Sequence, residues 1–211
     1  MKVYDLTQKL HDDMLVYSKG ICPNIKKVAN IENDGYEETL ISMYSHNGTH
    51  IDAPKHMNSK GKSLDEMEID NFLGNALLID VSNMKKIELD YIKNFEKDIL
   101  ESDFIIFKSG WSKYFNKDLY YKSYPTLTKE CAIYLGNTSI KGIGIDMLSV
   151  DTYESNDFEI HTILFEKSKV IIENLTNLES LPEKFLFIAA PLKYDNADGS
   201  QVRAIGIVNY Q

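Results

Sequence analysis

The chain is poor in cysteine: two among 211 residues, Cys22 and Cys131, far apart and without a CxxC pair. That excludes a disulfide framework and fits a reducing cytosol. Neither has a histidine close in sequence, which argues against a nucleophilic thiol. No stretch approaches the ~18 apolar residues that a membrane span requires. The opening MKVYDLTQKLHDDM is broken by charges and carries no secretory pattern, so a cytoplasmic protein is expected. Cationic residues are outnumbered, 23 against 32 acidic ones, for a net charge of -9. An acidic surface repels phosphate backbones and anionic lipid, so nucleic acid and membrane are poor partners. Repeats, low-complexity segments and Pro/Gly-rich linkers are absent, and one domain over 1–211 is expected.

What is present is a series of short apolar runs: 3–6, 38–45, 76–81, 103–108, 140–145, 169–174, 185–191 and 202–208. Several are continuously apolar rather than alternating, which predicts strands covered on both faces. Three helices are predicted between them. Residues 88–98 place Leu89, Ile92 and Phe95 at helical spacing; 128–136 open on Thr128 as N-cap and end in Gly136; 157–167 open on Asp157, with Asn156 and Ser155 as other caps. Strands alternating with helices predict an α/β layered domain, a mixed β-sheet core flanked by helices.

Histidine is scarce, five in all, yet three fall between His46 and His56, in SHNGTHIDAPKH. Asn47-Gly48 reads as a tight turn after a strand. Pro54 stops a helix from running through 50–56, so His46 and His50 are not a helical pair. In an extended stretch His50 and Asp52 project to one side. Imidazole and carboxylate converging from a constrained loop suit Zn²⁺, Mn²⁺ or Fe²⁺. His11, between acidic neighbours in a polar stretch, reads as solvated. His161 alone reads as a core histidine on an apolar helix face. Glu173, at the end of Val170-Ile171-Ile172, is ambiguous: a buried carboxylate is costly unless paired or liganded, but a strand end can be exposed.

The run from His46 to His56 fills every position of HxGTHxDxPxH, and so resembles the cyclase-like metal-dependent hydrolases, the family of bacterial kynurenine formamidase (an arylformamidase) and isatin hydrolase. VYDLTQKL, KSGW at 108–111, GIDMLSVD at 144–151 and APLKYDNADGSQVRAI at 190–205 extend the likeness over nearly the whole chain. The resemblance implies a swivelling β/β/α fold and two divalent ions, Zn²⁺ first and Mn²⁺ as the alternative. It implies that His46, His50 and Asp52 hold one ion, and Asp52, His161 and Glu173 the other. It further implies His56 as proton shuttle, a homodimer or higher homo-oligomer, and hydrolysis of an N-formyl aryl amide such as N-formylkynurenine, a step of tryptophan catabolism.

In such a site metal-bound water loses its proton near pH 7 and attacks the carbonyl as hydroxide, while an imidazole titrating near neutrality serves the leaving nitrogen. His56 as a mere orienting group is the plainer reading. Formamidases carry prolines, a tryptophan and an aspartate after the first strand. Here residues 14–20 read MLVYSKG: Tyr17 takes the aromatic position, where it can stack on an aryl group, and the prolines and aspartate are missing. That puts the substrate in question and leaves three alternatives open: a hydrolase of a cyclic amide or lactone, an inactive metal-binding relative, and an acidic interaction domain. Trp111 suits either core or pocket. Arg203 reads as an ion-pair partner rather than a substrate clamp.

Overall fold

The computed structural model describes residues 1–18 and 20–209; Lys19, within the divergent MLVYSKG stretch, lies outside them. The chain opens with β1 (Lys2–Asp5). A hairpin follows, β2 (Asn24–Ala29) and β3 (Glu38–Ser42), joined through α1 (Ile31–Asp34). Next come β4 (His50–Asp52), β5 (Leu73–Asp80), β6 (Lys86–Ile87), α2 (Leu89–Ile92), α3 (Glu96–Leu100), β7 (Phe104–Lys108) and β8 (Thr126–Leu127). The second half supplies α4 (Lys129–Gly136), β9 (Gly142–Ile145), α5 (Glu159–Glu166), β10 (Val170–Glu173), β11 (Lys184–Ile188), β12 (Gly199–Gln201) and β13 (Ile205–Val208).

Nine strands form one mixed sheet in the order β1-β13-β11-β5-β7-β9-β10-β4-β12. Its centre, β5-β7-β9-β10, is parallel, and both flanks are antiparallel. The parallel strands are the continuously apolar ones because both of their faces are covered. Alternation divides their side chains between two cores. Leu77, Ile79, Ile105, Phe107, Ile143 and Ile145 pack with α4 and α5. Ala76, Leu78, Phe104, Ile106, Val170 and Ile172 point the other way, toward Ile51, Phe185 and Phe187 from the sheet's own curling flanks. Each such Leu, Ile or Phe withdrawn from water contributes roughly 1.5–3 kcal/mol. The curl is tight enough for Thr7 to pair with Leu175 across it. At Gly142 even a methyl group would overlap the Val170 carbonyl.

Several expectations need correction. The predicted helix 88–98 is broken into α2, a 3₁₀ turn at Lys93–Phe95 and α3. The run 38–45 is not a covered strand: β3 stands in a separate two-stranded sheet with all five residues exposed, Leu40 at 56% and Ile41 at 51%. The helix expected at 157–167 is α5, and none of Asp157, Asn156 and Ser155 holds its N–H groups: Ser155 Oγ accepts from Phe158 N at 3.2 Å, one residue before the helix, and another carboxylate takes the helix N–H groups. Ile160 and His161 donate their backbone N–H groups to the Asp151 carboxylate at 3.0 and 3.1 Å. Phe158 takes the N-cap position in the left-handed region, so the cap is a tertiary contact that local pattern does not encode. Thr128 itself caps α4 as expected, accepting from Cys131 N. No described helix is long and apolar enough to cross a membrane.

Candidate metal centre

The turn at Asn47-Gly48 forms because Gly48 adopts φ 67° and the Asn47 side chain accepts from Tyr44 N at 2.9 Å. It delivers the chain into β4, where His50 and Asp52 face the same side. Strand β4 pairs antiparallel with β10, with His50 opposite Glu173. A left-handed turn at Ser168 links α5 to β10 and returns the chain from His161 to Glu173. Five side chains from three elements and one turn thus meet at one end of the sheet. His50, Asp52, His161 and Glu173 are buried and His46 is partly so.

Their polar atoms converge on two points that share Asp52. His46, His50 and Asp52 each place a ligating atom within 4.8 Å of the others, and so do Asp52, His161 and Glu173. His50 Nε2 lies 3.1 Å from Asp52 Oδ1 and 3.7 Å from Glu173 Oε2. His161 Nε2 lies 3.4 Å from Glu173 Oε1 and 3.9 Å from Asp52 Oδ2. The second nitrogen of each ring is committed elsewhere: His46 Nε2 donates to Asp198 at 2.9 Å, His50 Nδ1 to the Gly48 carbonyl at 2.9 Å, and His161 Nδ1 to Asp151 at 2.7 Å. A histidine whose outer N–H is anchored on an oxygen presents its other lone pair to a cation in fixed orientation. The donor set of three imidazoles and two carboxylates therefore fits borderline divalent ions.

Electrostatics agree. Burial alone would lower the His46 pKa, but Asp52 and Asp198 outweigh it and lift it to about 10. Burial likewise opposes charge on His161, and Asp151 and Glu173 raise it to about 10. Burial would raise Asp52, yet His50 and His46 hold it well below the ordinary carboxylate range. The carboxylates of the cluster thus favour positive charge beside them.

The remaining sequence candidates fall as follows. The His56 ring stacks 3.9 Å from the His46 ring, with Nδ1 3.6 Å from Asp198 Oδ2; burial pushes its pKa down to about 4. Tyr17 lines the cavity above the cluster, its hydroxyl 3.3 Å from the Tyr153 carbonyl. That cavity, about 360 Å³, is walled by Leu15, Val16, Ile21, Leu148 and Phe158, and no lysine or arginine lines it among the described residues. Trp111 lies outside the lining and donates to Tyr120 O from a 3₁₀ turn. Arg203 forms a bidentate pair with Asp5. His11 is partly exposed beside Asp13. The Thr49 hydroxyl donates to Asn174 O at 2.7 Å, tying the loop to the residue after Glu173. Sequence reading missed Asp151, Asp198 and Asn174. Asp151 and Asp198 lie within segments that carried the resemblance and Asn174 follows Glu173, but nothing local marks them.

A cavity floored by histidine–carboxylate clusters of a kind that could hold metal ions is the architecture of a metal-dependent hydrolase centre. Residues 4–152 match the family described as "Putative cyclase", and the chain belongs to that family. It is 31% identical to the kynurenine formamidase of Bacillus mycoides over 203 residues, 95% of each chain. Identity to the kynurenine formamidase of Geobacillus thermodenitrificans is 33% over 164 residues, 78% of this chain and 77% of that one. Among solved structures, isatin hydrolase A from Labrenzia aggregata, bound to benzyl benzoate, superposes with a TM-score of 0.87 at 25% identity, covering 99% of this chain and 94% of that one. A predicted metal-dependent hydrolase from Bacillus stearothermophilus superposes at 0.81 with 31% identity, covering 97% of both chains.

Proposed function

We propose that this chain is a metal-dependent amide hydrolase that cleaves an N-formyl aryl amide of the N-formylkynurenine type, with His46, His50, Asp52, His161 and Glu173 holding two divalent ions, Zn²⁺ first and Mn²⁺ second. One observation carries the reading: three histidines, each oriented through its outer nitrogen, converge with two carboxylates on the floor of an apolar cavity. When bound, such ions acidify water and polarise a carbonyl oxygen. The chain's own groups do the rest. Leu15, Val16 and Tyr17 take the aryl ring and exclude bulk water. Asp52, common to both ligand sets, would serve both ions. His56 stands beside the cluster at the cavity edge. Burial keeps its pKa at about 4 rather than near neutrality, so it is unprotonated at neutral pH and first takes up the proton of the attacking water before passing it to the leaving nitrogen.

A cyclic amide or lactone is the second reading: the walls of the cavity, Leu15, Val16, Ile21, Leu148 and Phe158, are apolar and suit a compact uncharged ring. The same reading includes a cytoplasmic homodimer, with the exposed Val28, Leu40, Ile41 and Tyr44 of the hairpin region as its apolar contact. The experiment pairs metal analysis of dialysed protein with assays on N-formylkynurenine, isatin and a simple lactone. Two ions per chain, turnover of one substrate and loss of both in His50→Ala are expected. Bound metal with no turnover of any would leave a metal-binding relative without this activity.

A further inference from the structure

Asp198 and Gly199 were assigned no part in the site by sequence pattern, yet the structure builds the seat of His46 from them. Asp198 Oδ2 accepts from His46 Nε2 at 2.9 Å and from Ser45 Oγ at 3.3 Å, and faces His56 Nδ1 at 3.6 Å. Gly199 lies against the flat of the same ring: a Cβ there would overlap His46 Cε1 and crowd Nδ1 at 2.9 Å. Gly199 stands opposite Asp52 in the β12–β4 pairing, and Ala53 N donates to Asp198 O at 2.9 Å, so the seat is fixed in register with the strand that carries the other ligands. His46 comes from a turn and not from a strand, and it is the most exposed of the three ligand histidines, at 24% for its side chain. It depends on an external support more than His50 or His161 does.

We propose that the Asp198-Gly199 pair is a positioning device for the metal centre. Asp198 fixes the tautomer in which His46 offers Nδ1 inward, Gly199 leaves room for the ring, and one carboxylate oxygen spans from His46 to the proton-shuttle position at His56. The inference rests on the reading of His46 as a ligand. Its chemistry is that of the carboxylate–histidine–metal arrangement, in which the outer partner sets ring orientation and basicity. A carboxylate that merely stabilised the loop would act on folding and leave ion affinity alone.

The test uses Zn²⁺ alone, with competition against a chromophoric chelator, and needs no substrate. The parent chain is expected to hold two ions. Asp198→Ala is expected to weaken one of the two by about 10- to 100-fold and leave the other unchanged. Asp198→Asn keeps an oxygen acceptor at the same place and is expected to recover most of the loss. Gly199→Ala, which displaces the ring, is expected to weaken the same ion. In a His46→Ala background, Asp198→Ala should add nothing, because the group it supports is gone. Parent-like competition in Asp198→Ala, or a loss that adds in full to that of His46→Ala, overturns the proposal. Should Asp198→Ala fail to fold, the same two criteria apply to Gly199→Ala. A parent chain that binds no divalent ion overturns instead the reading on which the proposal rests.

Discussion

Removing the Asp151 carboxylate should be costly, because it serves two purposes at once. It accepts the first free N–H groups of α5, from Ile160 and His161, and it holds His161 Nδ1 at 2.7 Å. In Asp151→Ala the lost cap costs about 1 kcal/mol, and the His161 N–H left buried without an acceptor costs about 1–3 kcal/mol more. Together these are about 2–4 kcal/mol, and at about 2–4 °C per kcal/mol for a chain of this size the midpoint should fall by roughly 4–16 °C. The assay is thermal unfolding of dialysed, metal-free protein at neutral pH, so that ion binding does not enter. Asp151→Asn keeps one acceptor and should lie between the two. The effect has a pH signature. Burial opposes ionisation of Asp151, but the His161 and backbone hydrogen bonds prevail and hold its pKa below the ordinary 3.8. A depressed folded-state value means that the stabilisation is present above 3.8 and lost as pH falls through the folded value. The gap between parent and variant should therefore close in acid. A variant that melts within about 1 °C of the parent at neutral pH would show that the cap and the His161 contact contribute nothing.

Metal affinity should rise with pH, because His46 and His161 carry protons up to about 10 and an ion must displace them; chelator competition at pH 6 and 8 should show about tenfold per pH unit for each proton released. In the metal-free chain those two raised values stabilise fully below 6.5, and the contribution is lost as pH rises through about 10, so its melting point should fall across that window while the metal-loaded one holds. Gly142→Ala should destabilise by about 1–3 kcal/mol in urea unfolding, since its methyl group would overlap a strand carbonyl that cannot move without breaking the β9–β10 ladder. For the proposed homodimer, replacing Leu40 and Ile41 with lysine should give a monomer in sedimentation with little loss of stability, because both side chains are half exposed within one chain; a parent chain that already sediments as a monomer refutes the dimer.

The parts of this fold that sequence exposes are those whose cause is local. The parallel strands β7, β9 and β10 are legible because burial on both faces forces an unbroken apolar run. The early histidines are legible because one turn and one three-residue strand bring them together. Strand β2 is obscured by Lys26 and Lys27, which an exposed hairpin tolerates, and β3 reads as a core strand because an apolar run looks the same whether or not anything covers it. Asp151 and Asp198 are obscured for another reason: a carboxylate gains its meaning from the imidazole that folding sets beside it. His161 and Glu173 lie between these cases, since helix, turn and strand were each readable but neither residue alone declared a role.

The pairing of His50 with Glu173 across β4 and β10 has a consequence for biosynthesis. A nascent chain that has emerged only through the HxGTHxD segment owns three of the five side chains and lacks the neighbour strand that would orient them. On the proposed two-ion reading, capture of ions by the growing polypeptide would be deferred until the C-terminal third has left the ribosome, and a product truncated before α5 would be left with half a cradle.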